Sequence, residues 1–397
     1  MELLIKNVRI VDWAQDFYGD VYIYKNKIYD IGKNLSKDCE TINGKGKVLM
    51  PAFIDLHAHF RDPGFTNKED IITGSRAAVR GGYTTVNLMA NTNPVCSDME
   101  VVNYVKEKAE SVGLVEVNQI VSITKDLKGK DISHLDKLPC STKFISDDGK
   151  GVKDNKIMME AMLKAKSKGI TVISHAESPE MSNVDMRVAE NLMTWRDIAL
   201  CKFTGCNLHM AHVSTKEAIK YVKEAKENEV KVTCEVTPHH LALVGEDVYR
   251  VNPPIREKED VDALIKAIKD GTVDVIATDH APHTKEDKKK GSPGISGIET
   301  SFSVCYTKLV REENISLNKL SELMSKRPAE IMGVNKGQIT LGFEGDLVLV
   351  DLDKQYTINS NDFESKGKNT PFDGKEVWGD VVMTIKGGRV VYEKATN

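Results

Sequence analysis

The chain has no apolar stretch approaching the ~18 residues that a membrane-spanning helix needs. It has no Cys-x-x-Cys: its seven cysteines (Cys39, Cys96, Cys140, Cys201, Cys206, Cys234 and Cys305) are scattered and odd in number. That pattern speaks against a disulfide framework and for reduced thiols in a cytosolic protein. No block of one charge sign stands out, and 55 Lys and Arg against 59 Asp and Glu leave a formal net charge of −4. Such a balance offers neither a nucleic-acid surface nor a charged interaction tail. The first residues, Met1-Glu2-Leu3-Leu4-Ile5-Lys6-Asn7, lack a signal-peptide layout, and Asp12 interrupts their apolar pattern early. A soluble cytoplasmic protein is expected. Its 397 residues, 40% hydrophobic, suffice for one large domain and a smaller one.

What is present is a change of pattern along the chain. Residues 1–50 read as short strands (3–10, 21–24, 27–31 and 48–50), with Lys25-Asn26 suited to a tight turn. The far end reads alike, with runs at 346–351, 381–385 and 389–392 and a hairpin signal at Lys386-Gly387-Gly388. Both termini are therefore expected to build one small β domain, residues 1–50 plus 340–397. Between them, residues 51–339 alternate strand, loop and helix. Eight β-like runs occur: 53–57, 84–88, 115–121, 142–145, 171–174, 208–211, 231–236 and 274–278. Helical segments separate them. Residues 99–111 carry Val101, Val102, Val105 and Ala109 on one face and stop at Gly113, and residues 261–269 run apolar on one face until Gly271. Ser214 with Glu217 three residues on predicts a capping box for the helix after the sixth run. The expectation is an α/β fold, a (β/α)8 TIM-like barrel with a small β-sandwich domain. A doubly wound open sheet is the alternative, but no Gly-x-Gly-x-x-Gly follows the first strand.

Barrel enzymes place their chemistry at the C-terminal ends of the strands. Of ten histidines, eight (His57, His59, His175, His212, His239, His240, His280 and His283) lie at or just after a predicted strand end. His57 and His59 share strand parity and so face one way, with Arg61 nearby to hold an anion. Asn91 follows the second strand, Asp148 the fourth, His175 the fifth, His212 the sixth and Asp279 the eighth. His134 and His209 sit at no strand exit and read as structural, and His239 and His240 are left open. Four histidines and two aspartates exceed what one zinc needs. The surplus predicts two metals ~3.5–4 Å apart, suited to hydrolysis or formation of an amide-like bond.

With these residues assembled, the chain resembles the amidohydrolase superfamily and, within it, the dihydroorotases. The resemblance rests on Asp55-Leu56-His57-Ala58-His59-Phe60-Arg61-Asp62-Pro63-Gly64, on Ala277-Thr278-Asp279-His280-Ala281-Pro282-His283, and on internal blocks. These blocks are Asn91-Thr92-Asn93-Pro94, Phe144-Ile145-Ser146-Asp147-Asp148-Gly149 and Ala211-His212-Val213-Ser214-Thr215. The resemblance extends into the β domain at residues 342–351. It implies two Zn2+ per subunit: His57, His59, Asp148 and Asp279 on one, and His175 and His212 on the other, with Asp148 bridging. Many relatives bridge with a carboxylated lysine, and Lys143 is the one lysine close enough to compete. The long bacterial type uses an aspartate instead, and Asp148 precedes His175 by the 27 residues its spacing implies.

The implied reaction is the reversible cyclisation of N-carbamoyl-L-aspartate to L-dihydroorotate in pyrimidine synthesis. Asp279 would be the catalytic proton carrier, taking a proton from the attacking hydroxide and giving it to the leaving ring nitrogen. Arg61, Asn91 and His283 would bind the substrate carboxylate, with Asn252 a further contact. Where relatives often carry Pro-Phe-Gly, this chain departs with Ser292-Pro293-Gly294 in a shorter loop, and the resemblance implies that Pro293 and Gly294 would be backbone contacts. The preceding residues 285–290 read as a solvated charged loop. A homodimer is the family's habit, and association with aspartate transcarbamoylase is a further expectation. The competing readings are another cyclic amidohydrolase (dihydropyrimidinase, hydantoinase or allantoinase) and a non-catalytic scaffold for aspartate transcarbamoylase.

Overall fold

Tight turns organise the terminal segments into one sheet. In this computed structural model, which describes residues 1–245, 247 and 249–395, Glu2–Val11 pairs antiparallel with Asp16–Tyr24. That strand turns into Lys27–Gly32 through Lys25-Asn26, both at positive φ (48° and 67°). At the other end Glu376–Lys386 returns as Arg389–Glu393 through Gly387 and Gly388, at φ 55° and 79°. Type I′ turns of this kind match the right-handed twist of the strands they join. Leu347–Thr357 links the two halves, pairing with Glu376–Lys386 on one side and Val48–Pro51 on the other. Val48–Pro51 and Glu40–Asn43 both run parallel to Glu2–Val11. The expected sandwich is thus, in hydrogen-bond terms, one eight-stranded sheet. Leu3, Ile5, Val8, Ile10, Val21 and Ile23 from its first strands share a core with Leu347, Leu349 and Ile385 from its last. The final residues of the expected small domain, Thr396 and Asn397, lie outside the described residues.

The middle of the chain forms the eight-stranded parallel barrel that its alternation predicts. Phe53–Ala58, Tyr83–Leu88 and Glu116–Gln119 make one arc. Phe144–Ser146, Thr171–Ser174, Asn207–Met210, Val232–Val236 and Val275–Ile276 make the other, in chain order. Two bridges, Val121 to Ile145 and Ala58 to His280, close the ring. The second sets the first and last strand ends, and therefore His57 and Asp279, side by side. Recurrent caps set the helix lengths: Asp98, Asp154 and Asp185 accept first-turn N–H groups, and Gly113, Gly169 and Gly205 end the same three helices in the left-handed conformation. No described helix is long and apolar enough to cross a membrane.

Two local expectations are corrected. The cap of the helix Lys216–Glu227 is Thr215, whose side chain accepts from the Ala218 N–H, and not Ser214. Ser214 is claimed instead by buried Glu190, which accepts from its backbone N–H at 2.8 Å and from its hydroxyl. A carboxylate outcompetes a helix end for that hydroxyl because its bonds are charge-assisted. Residues 285–290 are not an open loop, since Lys285–Lys289 forms a short helix with a capping box between Thr284 and Asp287.

Glu190 also takes Arg256 Nη2 at 2.9 Å and the Thr215 N–H at 3.2 Å. Glu190→Ala would leave the Arg256 guanidinium buried without its partner, a change worth about 3–5 kcal/mol. A clear fall in the midpoint of thermal unfolding is expected, smaller for Glu190→Gln. An unchanged midpoint in the alanine variant would contradict this role.

Candidate active site at the barrel mouth

The strand ends of the barrel supply the pieces, and Asp148 lies at the centre. Its Oδ1 is 3.3 Å from His57 Nε2, 3.3 Å from His175 Nδ1 and 3.9 Å from His212 Nε2. Its Oδ2 is 3.5 Å from His59 Nε2 and accepts from Asn91 Nδ2 at 3.1 Å. Asp279 Oδ1 approaches His59 Nε2 at 3.1 Å and His57 Nε2 at 3.5 Å. All six side chains predicted as metal ligands are buried and adjoin one another. Donor atoms of His57, His59 and Asp279, and of His57, Asp148 and His212, each fall within 4.8 Å of one another. His175 joins through its 2.9 Å contact with His212 Nε2.

The backbone is strained where the side chains must converge. Arg61, His212 and Asp279, two or three residues beyond the ends of barrel strands, have φ of 58°, 33° and 45°. For residues with a Cβ this left-handed region costs about 1–2 kcal/mol each, and it persists only where the surroundings over-determine it. For His212 the surroundings include its own N–H, bonded to Glu235 Oε1 at 3.3 Å.

Glu235 is the residue that sequence reasoning missed. Its Oε1 meets His57 Nδ1 at 2.6 Å and its Oε2 meets His209 Nε2 at 3.0 Å, with all three fully buried. Burial alone would raise this carboxyl, but His57 and His209 outweigh it and hold it at about 2. A carboxylate on Nδ1 fixes the tautomer that presents Nε2 to the site. The signal was available as the one acid within Val232-Thr233-Cys234-Glu235-Val236, an otherwise uncharged buried strand. Glu177, also missed, does similar work for His175 Nε2 at 2.9 Å and accepts from Asn252 Nδ2 at 2.6 Å.

Other candidates fall away on position. Lys143 precedes its strand whereas Asp148 follows it, and its Nζ donates to the Met332 carbonyl at 2.6 Å, away from the cluster. Asp147 turns to the Thr124 N–H at 2.9 Å. His134 bonds the Ser122 carbonyl, and His240 bonds Thr237 and the Pro253 carbonyl. His239 stacks obliquely on His240 at 4.5 Å between ring centroids. His280 takes the Gly297 N–H at 3.2 Å. Strand-end position therefore over-counts, since His240 and His280 are engaged in such bonds, while His239 Nε2 is buried without a hydrogen-bond partner. His209, read as structural, is structural in the service of Glu235.

Above the cluster lies a cavity of about 250 Å³. His59, Asp148, His175, His212 and Asp279 form its floor, and Arg61, Asn91, Asn252, His283, Pro293 and Gly294 also line it. The structure thus gathers every sequence-predicted contact residue around one space. Asn91 has a second job, because its Oδ1 meets His59 Nδ1 at 2.9 Å while its Nδ2 holds Asp148. His283 Nε2 lies 3.4 Å from Arg61 Nη2. Burial and then the Arg61 charge push the His283 imidazole down to about 3, so it is neutral at ordinary pH. Gly294 is required: at its φ of 137°, a Cβ would fall 2.6 Å from the Ala281 carbonyl oxygen. Larger cavities near the small sheet, of about 510 and 710 Å³, are lined by lysines and acids without a histidine.

Buried His57 Nε2 has no hydrogen-bond partner, and imidazole nitrogens beside carboxylates make a donor set suited to zinc, which binds them in place of protons. The residues present fit a metal centre.

Comparison with known proteins agrees with this geometry. The model of the amidohydrolase family matches residues 48–391. A dihydroorotase of Clostridium botulinum (strain Eklund 17B / Type B) is 56% identical, over 99% of this chain and 100% of its own. A dihydroorotase of Thermoanaerobacter sp. (strain X514) is 41% identical, over 99% and 98%. Among solved structures, the dihydropyrimidinase of Brevibacillus agri NCHU1002 superposes with a TM-score of 0.90 at 25% identity, covering 99% of this chain and 95% of that one. The L-hydantoinase of Arthrobacter aurescens gives 0.91 at 25% identity, covering 100% and 97%. The metal-type cluster, the barrel and the relatives agree: the chain belongs to the amidohydrolase family, among the dihydroorotases.

Proposed function

We propose that this chain is a dihydroorotase, interconverting L-dihydroorotate and N-carbamoyl-L-aspartate. The observation that carries the reading is Arg61. Its Nε is buried without a hydrogen-bond partner, and among the described residues no carboxylate lies within the 4.0 Å of an ion pair. A cavity-lining guanidinium left unpaired is a site awaiting an anion. Dihydroorotate brings a carboxylate; hydantoin, dihydrouracil and allantoin do not.

His57, His59, Asp148, His175, His212 and Asp279 would hold two zinc ions, with Asp148 between them, as its contacts with both sides of the cluster favour. When bound, zinc polarises the amide carbonyl and makes water acidic enough to attack near neutral pH. The chain's own residues do the rest. Arg61 and neutral His283 grip the substrate carboxylate, with Asn91 beside them. Asn252, Pro293 and Gly294 bound the ring. In the hydrolytic direction Asp279 accepts the proton of the attacking water on a carboxylate oxygen and delivers it to the ring nitrogen as the amide bond breaks. In cyclisation the same carboxyl runs the transfer backwards. All six ligand positions are filled, which disfavours a scaffold without activity.

The reading includes a homodimer. Helix Met186–Thr204 buries Ala189, Met193 and Cys201 on one face. Val188, Leu192, Trp195 and Phe203 stand exposed on the other, with Val184 just before it. By contrast Lys216–Glu227, on the same barrel, turns lysines and glutamates outward. An uncharged stripe at helical spacing suits an isologous contact with a second copy. Trp195→Glu should convert a dimer to a monomer in sedimentation at micromolar concentration, with the fold intact. A wild-type chain that sediments as a monomer would contradict it.

The function is tested by following ring absorbance with dihydroorotate, dihydrouracil, hydantoin and allantoin side by side. Only dihydroorotate should turn over well. Arg61→Met should lower kcat/KM for dihydroorotate by about 10²–10³-fold, the loss of a charge-assisted bidentate contact, while zinc content stays unchanged. Full activity in that variant would overturn the carboxylate clamp.

A further inference from the structure

We propose that Asn369, a residue of the small-domain connection, is the positioning residue for the substrate-carboxylate side of the cavity. The inference rests on the dihydroorotase reading above and assigns to it a residue from outside the barrel. Residues 358–375 join Leu347–Thr357 to Glu376–Lys386, and they cross to the barrel mouth instead of turning back directly. There the Asn369 side chain uses both of its ends. Its Oδ1 accepts from the His283 N–H at 2.9 Å and from Ser296 Oγ at 3.0 Å. Its Nδ2 donates to the Gly294 carbonyl at 3.0 Å and, at 3.5 Å, to that of Ala281. The Asn369 carbonyl in turn accepts from the Ser296 N–H at 2.7 Å.

Two loops already joined by the Ala281 N–H bond to the Ile295 carbonyl at 2.8 Å gain a second, side-chain clamp: residues 281–283, after the last barrel strand, and residues 292–296. Each supplies cavity lining, His283 from one and Pro293 and Gly294 from the other. An amide is the one side-chain group that offers acceptor and donor pairs in a single plane, so neither aspartate nor leucine replaces it.

The segment is itself held firmly enough to act as a reference. The Glu364 and Ser365 N–H groups both bond buried Glu299 at 3.0 Å. The Lys366 N–H and the Ser365 hydroxyl bond Glu69, which is fully buried. Gly367 approaches so closely that a Cβ there would fall 2.6 Å from both Pro282 Cβ and Ser296 Oγ. The small domain thus fixes where His283 and Gly294 stand relative to Arg61.

The test is steady-state kinetics of the zinc-loaded full-length protein with dihydroorotate, comparing Asn369→Ala, His283→Ala and the double variant. Asn369→Ala should raise KM about 10–100-fold, as a displaced binding group does, with kcat changed about threefold or less and zinc content unchanged. The double variant should lose less than the product of the two single losses, because part of what Asn369 does is to place the His283 side chain while the rest acts through Gly294. Asn369→Asp, which keeps the acceptor for His283 and loses the donor to Gly294, should fall between wild type and alanine. An unchanged KM in Asn369→Ala, a loss confined to kcat, or fully additive effects in the double variant would overturn the proposal. A loss that follows only the fraction of protein unfolded, judged by circular dichroism, would overturn it as well. Inactivity of the wild type toward dihydroorotate would instead sink the functional reading on which it rests.

Discussion

The site depends on a carboxylate that no substrate reaches. Glu235, buried within a barrel strand, holds His57 by one oxygen and His209 by the other. Burying an unpaired carboxylate costs several kcal/mol, which pairing with hydrogen-bonding partners offsets. The same pair has a directional consequence: with Nδ1 occupied, His57 can present only Nε2 to Asp148 and Asp279. From that fixed imidazole the cluster extends outward, to Asp148 and His175 on one side and to His59 and Asp279 on the other.

Three parts of the fold cooperate to bring the pieces together. The bridge between Ala58 and His280 closes the barrel and sets the first and last strand ends adjacent. Left-handed backbone at Arg61, His212 and Asp279 then bends three side chains to the mouth at a cost the buried bonds outweigh. The small sheet contributes more than a cover, because its long connection reaches the loops on the rim. Chemistry is thus distributed over barrel strands while the rim is steadied from outside the barrel.

Much of this was legible in the sequence. Period and turn residues marked all eight barrel strands and the shared terminal sheet, because burial on one or both faces leaves a composition that single residues cannot disguise. The metal-type residues were legible because each falls at a strand exit, a position set by the fold. Supporting residues were not. Glu235 and Glu177 matter through contacts with residues far away in the chain, and nothing local distinguishes Glu177 from a surface acid. The same limit explains Ser214, whose helix-capping pattern is sound in isolation and is overridden by Glu190, 24 residues earlier. It also explains why Lys143 competed with Asp148 until the direction of the strand separated them.

In the proposed metal centre these six side chains would hold two ions, with Asp148 shared between them. Diffraction from zinc-loaded crystals, recorded on either side of the zinc absorption edge, tests it directly. The account predicts two anomalous peaks of comparable height flanking the Asp148 carboxylate, one beside His57, His59 and Asp279 and the other beside His175 and His212. A single peak, or a second one away from Asp148, would contradict it.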